Sequence, residues 1–359
     1  YAGDVNMKLK PVKIGNITLK VPVIQGGMGI GVSLSSLAGA VAKEGGMGVI
    51  SAAQPGFNRD DWNKNPLNAN LKALGEHIKR AKEISNGGVI GVNIMRASCD
   101  YDKYVQCCVE NGADAIISGA GLPTDLPKLL EGTDVKFSPI VSSLKAAKVL
   151  FTLWERRYKR VSDFLVIEGP KAGGHLGFTP EEAASLTKEK FDVEVKKIVD
   201  FVRSYSEKIG RHIPVFFAGG VFDRSDIDHY INLGCDGVQM ATRFVTTVEC
   251  DAPMSFKEAY INAKKGDIVI VKSPVGMPGR AIRNPYVEIT EKTREKITHC
   301  FRCLEKCDPA TTPYCITMAL IRAVRSETEA DSSLIFCGEN AYRLNSITTV
   351  KDIFNEINS

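Results

Sequence analysis

Residues 166–178 read Val-Ile-Glu-Gly-Pro-Lys-Ala-Gly-Gly-His-Leu-Gly-Phe, and they gather the groups in this chain best suited to chemistry. Gly169, Gly173, Gly174 and Gly177 allow φ > 0 and close approach of backbone to a bound molecule, while His175 is the one nearby side chain that titrates near neutral pH. The run 163–167 before them is short, continuous and apolar, which reads as a strand buried on both faces. A histidine just past the C-terminal end of such a strand is either a candidate general acid or base, or a ring satisfied by backbone in a glycine-rich turn.

The rest of the chain supplies the elements that would position this turn. Eight short apolar runs recur at 21–25, 47–51, 89–94, 114–118, 136–141, 163–167, 213–217 and 236–240. Between them lie segments with helical periodicity at 34–43, 71–84, 101–110, 144–158, 194–208 and 224–232. Alternating strand and helix imply right-handed crossovers and a parallel sheet, and eight strands fit an α/β fold of the (β/α)8 TIM barrel type. An open doubly wound sheet would place Gly-x-Gly-x-x-Gly in its first turn. Here Gly26, Gly29 and Gly31 fall in the order G-x-x-G-x-G.

A barrel of this kind builds its site from the loops after the strands. Those positions hold Gly26, Gly27 and Met28 after the first run, Asn93 in the third, and Ser142, Ser143 and Lys145 after the fifth. Gly219 and Gly220 follow the seventh; Gln239, Met240, Ala241 and Thr242 end the eighth. Glycine-rich loops after strands seven and eight suit a phosphate held by backbone N–H groups, with the Thr242 hydroxyl added. Taken singly, Asn93 is also a turn former and Lys145 also a solvated residue of a first helical turn. Together the strand ends describe a phosphate-bearing cofactor site with one acid/base group.

These residues resemble those of a known family. Ile24-Gln-Gly-Gly-Met-Gly29, Val141-Ser-Ser-Leu-Lys145, Glu168 with Ala172-Gly-Gly-His-Leu-Gly177, Ala218-Gly-Gly220 and Met240-Ala-Thr-Arg-Phe244 are similar to the motifs of the nitronate monooxygenase (2-nitropropane dioxygenase) family, which includes the enoyl-ACP reductases of the FabK type. The resemblance implies FMN at the C-terminal mouth of a TIM barrel. Gly26, Gly27 and Met28 would line the flavin ring, with Asn93 and Lys145 on its polar edge or ribityl chain. Gly174, Gly219, Gly220, Ala241 and Thr242 would take the phosphate side, Gln239 and Met240 would lie close to the flavin, and His175 would face the substrate. The implied reaction is oxidation of alkyl nitronates with His175 as acid/base. The alternative is NAD(P)H-dependent reduction of an enoyl thioester carried on acyl carrier protein, and a redox partner or sensor that binds flavin and an iron–sulfur cluster is the third reading. Lys171 departs from the family pattern, which has Glu there, so the charge beside His175 differs. Residues 272–285 resemble a loop of the same family, either a lid over an anionic substrate or an ordinary surface loop.

Cys300, Cys303, Cys307 and Cys315 form C-x2-C-x3-C-x7-C, four thiols close enough in sequence to converge on one centre. Three readings stand: a [4Fe-4S] cluster, whose three-cysteine core is similar to that of flavoenzymes of the dienoyl-CoA reductase type and which would draw electrons from a ferredoxin-like donor; a structural zinc; or free thiols.

At 359 residues, with 25% charged and 44% hydrophobic residues and a net charge of +4, the chain has an ordinary globular composition. Its basic residues form no stripe, which argues against nucleic acid. No apolar run reaches membrane-span length, so a cytoplasmic protein with no membrane association is expected. Residues 1–6 read as a leader or expression remnant. The expected organisation is a barrel over 7–290 and a C-terminal extension over 291–359, with helices at 316–325 and 347–357 and a short strand and turn at 332–342; a homodimer is the expected assembly.

Overall fold

The computed structural model describes residues 8–325 and 332–359; the expected leader at 1–6 lies outside them. Eight parallel strands close into a barrel: β1 (Val23–Gln25), β2 (Met47–Ser51), β3 (Val89–Met95), β4 (Ala115–Gly119), β5 (Lys136–Val141), β6 (Leu165–Glu168), β7 (Val215–Ala218) and β8 (Gly237–Met240). They pair in sequence order, and β8 returns to β1 through Gln239 opposite Ile24. Each strand is the apolar run expected, displaced by at most two residues at either end.

Because successive strand residues face opposite sides, the two barrel layers separate by parity. Ile24, Val49, Ile117, Val166 and Phe216 point inward and fill the barrel. Val23, Ile50, Val92, Ile116, Ile167 and Val238 point outward against the helices. The hairpin Val12–Ile14 with Ile17–Leu19 adds Ile14 and Leu19 to the inner cluster, so the barrel is packed and not a pore.

Helices Ser35–Lys43, Pro66–Ser85, Tyr101–Glu110, Leu144–Tyr158, Lys188–Ile209 and Arg224–Asn232 cover the sheet. The first lies so close to β2 that a side chain at Gly48 would place its Cβ 1.8 Å from the Ala38 carbonyl oxygen. The four-residue helix Leu126–Leu129 after β4 is too short to leave a period in the sequence. Among the described residues no helix is long and apolar enough to cross a membrane.

A second sheet sits over the barrel mouth. Strands Ile268–Lys272 and Pro278–Ile282 form an antiparallel pair, and the second also pairs with the two-residue strand Gly174–His175. Residues 272–285, expected as a lid or a surface loop, are therefore largely a hairpin bound to the histidine turn. Helices Ile316–Arg325 and Val350–Ile357 form as expected. Within 332–342 the expected strand reduces to one bridge, Phe336 with Ala281, followed by the 3-10 helix Glu339–Arg343.

Candidate active site

The inward parity that fills the barrel with apolar side chains continues one layer toward the strand ends and becomes polar there. Ser51, Asn93, Ser142, Glu168 and Gln239 occupy those positions and line a cleft of about 1020 Å³. That is at the upper limit of small-molecule sites, which run to about 1,000 Å³, and it leaves room for a cofactor and a substrate together. Phe301, Leu304, Thr317 and Phe336 from the C-terminal extension complete its walls.

His175 is held in this cleft by contacts from three segments. Backbone pairing sets it opposite Gly279, its Nε2 lies 2.7 Å from Ser273 Oγ, and its ring packs edge-on against Phe336 with centroids 5.0 Å apart. Burial with no nearby anion to offset it pushes the imidazole down to about 4, so the ring is neutral at ordinary pH. Ser273 Oγ also accepts from Val275 N–H at 3.3 Å, so the hydroxyl ties the ring to the 273–275 turn.

Glu168, at the end of β6, is moved the other way. Burial raises its carboxyl to about 7, while a hydrogen bond from Gly177 N–H at 3.3 Å and the charge of Arg280 hold it from rising further. The cleft thus contains a neutral histidine and a carboxyl that exchanges its proton near neutrality.

Arg280 anchors the turn that carries both groups. Its buried guanidinium donates to the carbonyl oxygens of Pro170 (2.8 Å), Ala172 (2.5 Å) and Ala183 (3.0 Å), with a Glu339 carboxylate oxygen at 3.6 Å. Lys171 lines the cleft and pairs with Glu339 at 3.4 Å, so its positive charge is balanced by the C-terminal extension.

Beyond β7, Gly219 and Gly220 take left-handed conformations with φ of +110° and +82°. A Cβ at Gly220 would come within 2.9 Å of Lys171 Cβ, and one at Gly338 within 2.4 Å of Thr242 Oγ1. These close approaches leave a backbone-lined cradle of the kind that receives a phosphate. Nearby, Gln239 Oε1 is buried without a hydrogen-bond partner among the described residues, an acceptor suited to a ligand N–H.

Eleven of the thirteen sequence candidates on this face line the cleft: Gly26, Gly27, Met28, Asn93, Gly174, His175, Gly219, Gly220, Gln239, Ala241 and Thr242. Two do not. Met240 has the outward parity of Val238 and packs in the layer between barrel and helices. Lys145 is exposed on the first turn of Leu144–Tyr158, whose N-terminus is held by Ser143 Oγ on Ala146 N–H.

Cys300, Cys303, Cys307 and Cys315 are the expected metal ligands. Among the described residues no group of three or more His, Cys, Asp or Glu side chains is placed to hold a metal ion, and all ten cysteines are free thiols. The sulfurs of Cys300, Cys303, Cys307 and Cys315 share one neighbourhood, but each has its own local setting. Cys300 is exposed and accepts from Arg302 N–H, while Cys303 bonds Thr317 and is pushed up to about 12, chiefly by burial.

Six described non-glycine residues have positive φ. Asn86 and Lys159 cap helix C-termini, where that conformation is ordinary; the other four, Gln54, Asp100, Ala120 and Arg302, all line the cleft. Backbone strain therefore collects around the candidate site.

The family model for nitronate monooxygenase matches residues 10–359. The chain belongs to that family of oxidoreductases. Among its relatives, a probable nitronate monooxygenase of Staphylococcus saprophyticus is 26% identical over 304 residues, covering 78% of this chain and 81% of the relative. A Mycobacterium tuberculosis protein, (3aS,4S,5R,7aS)-5-hydroxy-7a-methyl-1-oxo-octahydro-1H-indene-4-carboxyl-CoA dehydrogenase, is 28% identical over 287 residues, covering 79% of this chain and 69% of its own. The solved structure of FabK from Thermotoga maritima superposes with a TM-score of 0.71 at 27% identity, covering 94% of this chain and 91% of FabK.

Ser273 and Arg280 belong to the 272–285 segment whose resemblance to a family loop carried no role for either residue, and Phe336 comes from a position with no local signal. Glu168, part of the family motif, lies two residues after the inward Val166, so alternation aims it at the mouth.

Proposed function

We propose that the chain is an FMN-dependent oxidoreductase that oxidises alkyl nitronates at the barrel mouth. The observation that carries this reading is the conjunction in one cleft of a left-handed Gly219–Gly220 cradle, the Thr242 hydroxyl and the unpartnered Gln239 Oε1. Those features fit FMN: Gly219, Gly220, Gly338 and Thr242 would hold its phosphate, Gln239 would accept from a ring N–H, and Gly26, Gly27, Met28 and Asn93 would flank the ring. FMN, when bound, supplies the electron-transfer chemistry that no side chain here provides.

The protein's own part is to bind and orient the substrate. A neutral His175 is a weak base that still carries one ring N–H to donate. It is better suited to holding the oxygen of a preformed nitronate anion than to removing a proton from a neutral nitroalkane, and Phe336 beside it shields that contact from water. Glu168 exchanges a proton near neutral pH with whatever occupies the cleft.

Enoyl-thioester reduction with NAD(P)H as donor is the second reading, favoured by the likeness to FabK and by the size of the cleft. In that case His175 would hold the thioester carbonyl, and the acyl chain would arrive on acyl carrier protein or an equivalent thiol carrier. Comparing turnover of a nitronate with that of its neutral nitroalkane tests the first reading. Oxidation of the anion alone, retained in part by His175→Gln, is expected. Equal turnover of both forms would contradict the role given to His175, and turnover of neither would favour the enoyl thioester.

A further inference from the structure

The wall where the C-terminal extension meets the barrel carries two thiols that the flavin reading leaves unused. Residues 97–99, just after β3, run antiparallel to 303–305. Ser98 pairs with Leu304, Cys99 N–H donates to the Cys303 carbonyl at 3.1 Å, and Glu305 N–H donates to the Ala97 carbonyl at 3.0 Å. One step along this register sets Cys99 directly opposite Cys303. The ladder ends there, because Asp100 and Arg302, the next residues on the two chains, both turn left-handed with φ of +55° and +50°.

Directly opposed antiparallel residues present their side chains on one face. Residues opposed in this way have Cα atoms about 4.5–5.5 Å apart. A disulfide accepts Cα separations of about 4.4–6.8 Å, so the register brings the two cysteines within bonding range. Both cysteines are free thiols lining the cleft, and Cys99 is only partly covered. Cys303 now bonds Thr317, and a rotation about its Cα–Cβ bond would turn its sulfur toward Cys99. Cys300, Cys307 and Cys315 are also near Cys303, but Cys99 is the one that backbone hydrogen bonding holds across from it.

We propose that Cys99 and Cys303 form a reversible disulfide that pins the C-terminal extension to the barrel mouth. The oxidant is a peroxide or a small-molecule disulfide. With hydrogen peroxide, the first thiol takes up one oxygen atom to become a sulfenic acid as one water leaves. The second thiol then attacks that sulfur, the S–S bond forms and a second water departs, so two thiols and one peroxide give one disulfide and two waters. With a small-molecule disulfide, two exchange steps release two small thiols. Closure fixes Phe301, Arg302 and Leu304 over the cleft.

The test is to oxidise the purified full-length protein with oxidised glutathione or hydrogen peroxide, alkylate the remaining thiols, digest without reduction and map the cross-links by mass spectrometry. The expected product joins the Cys99 and Cys303 peptides with the loss of two hydrogens, reverts with dithiothreitol, and is absent from Cys99→Ala and Cys303→Ala. Limited proteolysis of the extension should slow several-fold in the oxidised wild type and not in either variant. Linkage of Cys303 to Cys300, Cys307 or Cys315, or alkylation of both Cys99 and Cys303 after oxidation, would overturn the pairing. A mapped link with unchanged proteolysis would overturn the pinning. None of these readouts depends on turnover, so they stand or fall apart from the proposed reaction.

Discussion

His175 Nε2 and Ser273 Oγ meet at 2.7 Å across 98 positions of sequence, and this bond holds the orientation of the ring that the family resemblance puts opposite the substrate. Removing it frees the imidazole to rotate. A neutral hydrogen bond is worth about 0.5–1.5 kcal/mol net, so Ser273→Ala should lower kcat by up to about tenfold while flavin content is unchanged. Steady-state kinetics beside the flavin-to-protein absorbance ratio would check this. An unchanged kcat would mean that Ser273 does not position the ring.

The phosphate cradle makes a separate prediction. Gly220→Val introduces a β-branched residue at φ +82° and a Cβ 2.9 Å from Lys171 Cβ. Strain of about 1–3 kcal/mol, placed where backbone should meet phosphate, should weaken FMN binding by about tenfold or more. Thr242→Val should weaken it less, since one hydroxyl is lost and the backbone donors remain. Titrating apoprotein with FMN by fluorescence quenching measures both, and wild-type affinity in both variants would remove the phosphate assignment.

Glu168 and His175 should pull stability in opposite directions as pH changes. The Glu168 carboxyl is raised by burial from near 4.5 to about 7, so between those values the folded protein binds more protons than the unfolded chain, and stability falls as pH rises. The difference corresponds to about 3 kcal/mol, fully expressed above pH 7. Glu168→Gln should therefore stabilise the protein at pH 8 and have little effect near pH 4. The imidazole is lowered from 6.5 to about 4, so its contribution is present above pH 6.5 and is lost as pH falls toward 4. Urea denaturation at pH 4, 6 and 8 would separate the two; a Glu168→Gln effect independent of pH would show that the carboxyl is not buried as charge.

Arg280 is expected to matter for stability more than for chemistry. Its guanidinium satisfies three carbonyl oxygens at once, and a lysine cannot reproduce that planar fork. Both Arg280→Ala and Arg280→Lys should cost about 3–5 kcal/mol, the range for breaking a buried charged network, and should lower Tm by several degrees. Equal melting of Arg280→Lys and wild type would mean that charge alone holds the turn.

The barrel was legible in the sequence because its signal is local. Each β strand is an apolar run between turn residues, and a misplaced end costs one or two positions without changing the topology. The same locality brought out Gly219, Gly220, Thr242 and His175, which sit where strands end. Met240 lies off the cleft because alternation sends it and its neighbour Gln239 to opposite faces. Lys145 lies off it because a residue that follows a strand lines the mouth only if its helix turns that side inward. Phe336, Ser273 and Cys99 opposite Cys303 were beyond local reading, since each depends on how the C-terminal extension and the hairpin fold back over the barrel.

An anaerobic titration of the purified protein, following its visible spectrum, asks whether a bound flavin takes electrons from a nitronate. The expected result is a flavin absorbance band that bleaches on adding a nitronate such as ethyl nitronate and recovers on admitting oxygen. A band that bleaches with NADH or NADPH but not with the nitronate would transfer the assignment to enoyl reduction. A protein that shows no flavin band and takes none up from added FMN would contradict the flavin site at the barrel mouth.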